Sequence, residues 1–157
     1  MQQEKDEVRK ENRTSVLSAR SCFVCGPDNP RGLQLAFQTN ECGEMIAEWI
    51  PEPEMEGYQG IVHGGLVSTV LDEAMAKVVD ASGASALTAE LRVRFRQQVP
   101  SGRPVRVRGW IESRNKRVID AEAALTSANG VELAHAWAVF LALKQERSSI
   151  AAEELRQ

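Results

Sequence analysis

The sequence predicts an α+β domain, in which an antiparallel sheet of about six strands wraps around one long central helix. One segment, 64–80, carries apolar residues at the spacing of a helical stripe. On both sides of it, short segments alternate apolar and polar residues and are separated by turn sequences. Two such strands precede the helix and four follow it, and successive hairpins imply antiparallel pairing.

Before the helix, strands are predicted at 33–38 and 45–50, on either side of the turn sequence Asn-Glu-Cys-Gly at 40–43. The segment 26–32 is a cluster of turn-forming residues, and 51–60, with two prolines and two glycines, is predicted to be a loop.

After the helix, which is predicted to end at Gly83, four strands are expected at 89–96, 105–112, 118–126 and 131–143. Asn129-Gly130, between the last two, is a strong hairpin signal. One helix covers only part of a six-stranded sheet. The remaining apolar surface and free edges therefore predict a homodimer or a homotetramer.

Composition and charge narrow the class of protein. A chain of 157 residues with 43% hydrophobic and 26% charged residues is expected to form one globular domain. We divide it into a polar N-terminal extension (1–20), the domain itself (21–144) and a charged tail (145–157). The net charge of -3 argues against nucleic acid as a partner. No secretory signal or bilayer-spanning apolar run is recognised, so a cytoplasmic protein without a membrane partner is expected.

Three cysteines give an odd count, which predicts no disulfide framework. Cys22 and Cys25 have the CxxC spacing of half a zinc knuckle or of a redox pair. A closed zinc site needs four ligands, and only Cys42 and a distant histidine are left to complete one. The βαβ context of a redox motif is also missing. We therefore expect no metal, and small side chains in a turn-rich segment.

The predicted helix opens with His63-Gly64-Gly65. Backbone amides at a helix start lack intrahelical partners and lie at the positive end of the dipole. Glycines let a substrate approach those amides, which suits an oxyanion formed in acyl transfer. The alternative is a simple Gly-Gly turn.

Asp72 lies off the apolar stripe, on a face with small neighbours that includes Gly65. Seven residues separate the two positions, or roughly 10 Å along the axis, which is too far for both to act on one carbonyl. Two antiparallel helices in a dimer would bring the acid of one copy to the glycines of the other. The alternative for Asp72 and Glu73 is a solvated polar face.

The His-Gly-Gly motif followed by a helix acid, together with the strand order, resembles the hotdog-fold acyl-CoA thioesterases. The stretches CFVCGPDNPRGLQL and LTAELRVRFRQQVPSG are similar to the phenylacetate-pathway and thioesterase-superfamily-member group of that family. The resemblance extends over about 22–143. It implies a hotdog fold, a site at a dimer interface, and neither metal nor cofactor, because coenzyme A is part of the substrate.

The resemblance also implies roles for individual residues. Asp72 would be the nucleophile or the base that activates water, and the Gly65 amide would polarise the thioester oxygen. His63 would shape the loop and help to orient the substrate, with Gly64 beside it. Thr88 matches a threonine that positions the water in some members.

The chain departs from some 4-hydroxybenzoyl-CoA thioesterases in two places. Ala76 stands where they have a threonine, and Gly57 stands where they have an amide, so that Gln59 is the nearest amide. Glu73 is a second candidate acid. Asp72 is favoured because it shares a face with Gly65.

Arginines recur on two neighbouring predicted strands, at 92, 94, 96, 106 and 108. Like charges on adjacent strands need anionic partners. These partners are either internal acids at 90, 112, 120 and 122, or the phosphates of coenzyme A, for which Arg94 and Arg96 are the candidate contacts.

The predicted function is therefore acyl-CoA thioesterase, which hydrolyses a thioester to a free acid and CoA. Two alternatives remain at this point: a hotdog 3-hydroxyacyl dehydratase or enoyl hydratase, and a non-catalytic module that binds acyl-CoA.

Overall fold

The computed structural model describes residues 19–144. All but the last two residues of the polar extension 1–20, and the whole of the charged tail 145–157, lie outside the described residues.

The described residues form one α-helix and two sheets. The elements in chain order are β1 (Gln38–Thr39), β2 (Met45–Trp49), a 3-10 turn (Pro53–Met55), β3 (Glu56–Tyr58), β4 (Ile61–Val62), α1 (Gly64–Ala81), β5 (Ala86–Phe95), β6 (Val105–Asn115), β7 (Val118–Ser127) and β8 (Glu132–Ala142). The large sheet has the strand order β1-β2-β6-β7-β8-β5, with every pair antiparallel, and β3 and β4 form a small hairpin beside it.

Helix α1 has the length and the buried stripe that the sequence predicts. Gly83, with a φ of 89°, follows its last turn and supplies the left-handed residue that commonly ends a helix. Its buried residues recur at helical spacing and face the sheet: Val67, Val70, Leu71, Ala74, Met75, Val78 and Val79.

The helix approaches β6 very closely at Gly109. A Cβ added at Gly109 would lie 2.6 Å from the carbonyl oxygen of Ala74, so only glycine permits this backbone-to-backbone contact. On the neighbouring strand β7, the buried side chains of Ala121 and Ala123 are also small. The core therefore consists of α1 laid directly on the central strands.

The first strand predicted, at 33–38, is wrong for most of its length. The amides of Leu33 and Leu35 donate to the carbonyl oxygens of Phe23 and Val24, at 2.7 and 2.8 Å. The residue between them has a φ of 50°, which no strand tolerates. Residues 33–37 therefore pack on the loop that contains Cys22 and Cys25, the cysteine loop, and only the end of the predicted strand joins the sheet, as β1.

The predicted loop 51–60 is also partly wrong, because it contains the 3-10 turn and β3. Strand β5 begins at Ala86, before the predicted start at 89, and its pairing with β8 shifts register between Thr88 and Glu90. This irregularity interrupts the alternation of inward and outward side chains, so the sequence predicts only the part of the strand that follows it.

Strand β5 lies at one edge of the large sheet and pairs only with β8. Eight of its ten residues are exposed in the single chain, including Leu87 and Phe95. The other backbone edge of β5 is free among the described residues, which makes it able to accept another strand.

Candidate active site

His63 caps the start of α1. Its Nδ1 accepts a hydrogen bond of 2.9 Å from the Gly65 amide, and its carbonyl oxygen accepts one of 2.9 Å from the Leu66 amide. The amide of Gly64 has no acceptor within the part of the chain that the structure describes. The Gly65 amide, which the sequence predicts as an oxyanion donor, thus already donates its hydrogen bond to the His63 side chain. An incoming oxygen must displace the imidazole there or bind the neighbouring Gly64 amide.

Asp72 lies on the same helix, half-buried, and is hydrogen-bonded to strand β5. The Thr88 hydroxyl donates to Asp72 Oδ1 at 2.8 Å. Burial raises the pKa of Asp72 above its ordinary value; the hydrogen bond from Thr88 acts in the opposite direction, and the charge of Glu73 adds to the rise. The structure therefore brings together two of the predicted residues, an acid and a hydroxyl that orients it.

Glu73 has different surroundings from its neighbour. Its Oε1 lies 4.0 Å from Lys77 Nζ and 3.5 Å from Cys22 Sγ. It thus faces the cysteine loop, while Asp72 faces β5, as expected for adjacent positions rotated by about 100° on a helix. This difference favours Asp72 as the acid of the site and gives Glu73 other partners.

A groove of about 470 Å³ opens beside the start of α1. It is lined by residues of β3, β4, the first turn of α1 and the segment after β5: Gly57, Tyr58, Ile61, Val62, His63, Gly64, Val67, Phe95, Arg96, Gln97, Gln98 and Val99. Neither Asp72 nor Thr88 lines it. Within one chain, the groove and the acid are therefore separate, in agreement with their spacing along the helix.

Two aromatic residues of this groove were not predicted as site residues. Tyr58 is 82% exposed, and Phe95 lies so close to Gly64 that a Cβ there would be 3.3 Å from the ring carbon Cζ. Phe95 looked like an ordinary apolar member of an alternating strand. No pattern in the sequence predicts its contact with Gly64, because that contact depends on how the end of β5 lies beside α1. Gln59, predicted to contact substrate, is exposed in the β3–β4 turn, and its side chain makes no hydrogen bond among the described residues.

The arginines pair with acids other than those expected from the sequence. Arg106 and Arg108 reach back to β2 and the turn before it, where they bind Glu48 and Glu44 at 2.8 and 3.3 Å. The predicted internal partners were wrong because β2, rather than β7, supplies the carboxylates on this side of β6.

Of the two arginines predicted to contact CoA, Arg96 lines the groove and donates to Glu132 Oε1 at 2.5 Å. Arg94 is exposed, does not line the groove and has no ion pair among the described residues. Of the two candidate arginines, only Arg96 therefore lies at the groove in a single chain.

His135 is packed against aromatic side chains. Its ring lies between the rings of Trp110 and Trp137, with centroids 5.8 and 4.5 Å away, and its Nε2 is 2.8 Å from Glu122 Oε2. These contacts lie on the sheet face opposite α1, away from Asp72.

Comparison with known proteins shows what the chain is similar to. The model of the thioesterase superfamily matches residues 59–134, from the turn before β4 into β8, with all of α1 between them. These 76 residues, a little under half of the chain, are similar to the thioesterase superfamily. The matched segment contains every predicted site residue.

Among curated members of the superfamily, the chain is similar to the acyl-coenzyme A thioesterase THEM4 of Bos taurus, with 24% identity over 143 residues. The match covers 85% of this chain and 56% of that protein, so the chain spans little more than half the length of this relative.

Solved structures of the thioesterase superfamily confirm the hotdog fold. One thioesterase superfamily protein superposes with a TM-score of 0.75 at 19% identity, covering 89% of this chain and 79% of its own. A protein of Streptococcus mutans UA159, bound to acetyl CoA, gives 0.65 at 18% identity, covering 69% and 88%. Within the described residues, no helix is both long and apolar enough to cross a membrane.

Proposed function

We propose that this protein is an acyl-CoA thioesterase, which hydrolyses an acyl-CoA to a free acid and CoA. The observation that carries this proposal is the half-buried carboxylate of Asp72, held by the Thr88 hydroxyl at 2.8 Å on the helix that His63-Gly64-Gly65 opens. The name of the bovine relative, an acyl-coenzyme A thioesterase, and the acetyl CoA bound by the Streptococcus mutans protein support it.

The chemistry follows from these groups. Thr88 donates to one oxygen of Asp72, which leaves the other oxygen to take a proton from water or to attack the thioester carbonyl itself. The carbonyl oxygen gains negative charge in the tetrahedral intermediate and is stabilised by the amides at the start of α1. When the C–S bond breaks, CoA leaves as the thiol, and the oxygen from water ends in the carboxylic acid.

A raised pKa suits Asp72 for the role of general base. Burial is the main cause of the raised pKa of this carboxyl. A base is most effective when its pKa is near the working pH, so the same burial that disfavours its charge makes Asp72 a better proton acceptor.

We propose that two copies of the chain form the complete site in a homodimer, with a homotetramer as the larger assembly. In a single chain the groove ends at the first turn of α1, while Asp72 and Thr88 lie outside it. The free edge of β5 and its exposed Leu87 and Leu91 offer a surface for a second copy. Antiparallel β5 strands would carry Thr88 of one copy toward the groove of the other.

Arg96 and Arg94 are the proposed contacts for the CoA phosphates. Arg96 already lies at the groove, and Arg94 has a guanidinium without an ion pair among the described residues. We also place the protein in the cytoplasm, because half-buried free thiols at Cys22 and Cys25 suit a reducing compartment.

The decisive experiment measures CoA release with a thiol reagent, from straight-chain acyl-CoAs of several lengths and from aryl-CoAs. The wild type is compared with Asp72→Asn, which keeps the size of the side chain and removes the charge. Asp80→Asn, an exposed acid in the last turn of the same helix, is the matched control. We expect turnover to fall by about three orders of magnitude in Asp72→Asn, as for the loss of a catalytic acid or base, and to stay unchanged in Asp80→Asn.

Three outcomes would contradict the proposal. Equal turnover in both variants would remove Asp72 from the mechanism. Hydration of crotonyl-CoA without CoA release would assign a hydratase, and binding of acyl-CoA without any turnover would assign a binding module. In a single turnover in heavy-oxygen water, unlabelled acid together with label in Asp72 assigns the nucleophilic role, because the mixed anhydride is then opened at the Asp72 carbonyl.

A further inference from the structure

The loop that contains Cys22 and Cys25 is packed against helix α1, with the two thiols beside the Glu73 carboxylate. We propose that these three side chains form a binding site for a thiophilic divalent cation of the zinc type, which links the loop to the helix. The inference does not depend on the proposed thioesterase activity. It departs from the sequence-based expectation, which found too few ligands because Glu73 is distant along the chain.

The spacing of the ligand atoms fits a tetrahedral cation. The Cys22 sulfur lies 3.5 Å from Glu73 Oε1, and the ligand atoms of Cys22, Cys25 and Glu73 all lie within 4.8 Å of one another. With metal–sulfur and metal–oxygen bonds of about 2.3 and 2.0 Å, tetrahedral angles give S···O separations of about 3.5 Å and S···S separations of about 3.8 Å. Binding thus needs these distances to change by at most about 1.3 Å from those that the structure shows.

The backbone of the loop is shaped to present both sulfurs on one side. The Gly26 amide donates to the Cys22 carbonyl oxygen at 2.9 Å, which curls the CxxC segment into a turn. A Cβ at Gly26 would lie 2.4 Å from the Cys22 amide nitrogen, so this turn requires glycine. The Val24 amide donates to Cys22 Sγ at 3.4 Å. Such amide–sulfur bonds stabilise a ligating thiolate from outside the first coordination shell.

The charges around the cluster also fit a divalent cation. Two thiolates and one carboxylate carry three negative charges, of which a divalent cation cancels two. Lys77, whose Nζ lies 4.0 Å from Glu73 Oε1, supplies the remaining positive charge without being a ligand. A cavity of about 310 Å³, lined in part by Cys25 and Lys77, gives the cation a path to the cluster and room for water as a fourth ligand.

The cation would act as a cross-link. It would join residues 51 positions apart, Cys22 and Glu73, and so would restrict the unfolded chain as well as fix the loop on α1. Binding to the folded protein alone raises its thermal stability in proportion to the logarithm of cation concentration over Kd.

The test uses the full-length protein, treated with chelator and kept reduced, then titrated with Co²⁺ alone. We expect one equivalent of Co²⁺ to give a thiolate-to-cobalt charge-transfer absorption and the intense visible bands of four-coordinate cobalt, both abolished by Zn²⁺. Cys22→Ser/Cys25→Ser should lose the charge-transfer band, and Glu73→Gln should weaken Co²⁺ binding by about tenfold or more. Cys42→Ser is the matched control, since Cys42 is exposed in the β1–β2 turn and should leave the spectrum unchanged.

Other results would overturn the proposal. If the wild-type protein gives no thiolate-to-cobalt band, the site does not exist. This result comes from the wild type alone and so does not depend on whether the variants fold. A band that persists in Cys22→Ser/Cys25→Ser, or that needs Cys42, assigns the metal to other residues. Undiminished affinity in Glu73→Gln removes the carboxylate from the site. The protein could also be prepared without reductant. If its mass is then lower by two hydrogens, both free thiols are lost, and the reduced protein does not bind Co²⁺, the two cysteines are a disulfide pair instead.

Discussion

Strands β7 and β5 are both ten residues long, yet the fold uses them differently. β7 pairs with a strand on each side, and its inward residues, such as Ile119 and Leu125, are fully buried under α1. β5 pairs on one side only and has no buried residue in the single chain. The interior strand therefore packs its inward face against the helix, whereas the edge strand holds Thr88 beside Asp72 and has one backbone edge unpaired among the described residues.

The largest expected effect is the loss of packing on the interior strand. Leu125 on β7 is completely buried and Leu87 on β5 is 53% exposed. Leu125→Ala should lower the free energy of unfolding by about 2–5 kcal/mol, because it removes buried methyl groups and leaves a cavity. Leu87→Ala should change it by less than about 0.5 kcal/mol. Denaturant unfolding of both variants at one protein concentration makes the comparison. Equal losses would show that β5 is covered as fully as β7.

The second effect concerns activity and depends on the proposed function. Thr88→Val on β5 removes the hydroxyl that donates to Asp72 and should lower kcat by about 10- to 100-fold, the equivalent of one hydrogen bond to a charged group. Thr126→Val on β7 is the control, because its hydroxyl makes only a long bond of 3.4 Å to the Arg106 carbonyl oxygen. Thr88→Ser keeps the donor and should restore most of the activity. If Thr88→Ser is as slow as Thr88→Val, packing rather than hydrogen bonding explains the loss.

The smallest effect is expected at Glu132, the first residue of β8, which accepts a hydrogen bond from Arg96 just after the end of β5. Burial raises the pKa of Glu132, but hydrogen bonds from His135 and Arg96 outweigh it and hold that pKa below its ordinary value. The charged carboxylate therefore contributes stability above the ordinary pKa of a glutamate, and the contribution is lost as the pH falls through the lowered pKa. Glu132→Gln should be less stable than wild type near neutral pH, by less than about 1 kcal/mol for this partly exposed group.

Thermal melts of wild type and Glu132→Gln at neutral and acidic pH check this sign, with Glu90→Gln, exposed on β5, as the control. The difference between wild type and Glu132→Gln should shrink on acidification. A difference that grows as the pH falls would contradict the assignment.

The features that the sequence predicts well are periodic and local. Helix α1 was found because its buried stripe repeats at helical spacing over five turns, and β8 because Asn129-Gly130 marks the turn before it. Thr88 was singled out by the family resemblance alone, as a residue that positions water, and its hydrogen bond to Asp72 is seen only in the structure.

The features that were missed depend on which distant segments meet. Leu33 and Leu35 alternate like strand residues, but their amides donate to carbonyl oxygens of the cysteine loop instead of a neighbouring strand of the sheet. Arg106 pairs with Glu48 because β6 lies beside β2. Glu73 meets Cys22 for the same kind of reason, since 51 residues separate them in the chain. Spacing along the sequence carries no information about such contacts until the strand order is known.

The contact between Gly109 and the Ala74 carbonyl oxygen also restricts where a bound chain of methylene groups can run. A single added carbon at Gly109 would lie 2.6 Å from that oxygen, so no hydrocarbon can pass between α1 and β6 at this point. The space beside His63 is open instead, bounded by Tyr58, Phe95 and Val99. In the proposed site, these three side chains at the rim of the groove would therefore contact the acyl group, at the surface of the chain rather than between α1 and β6.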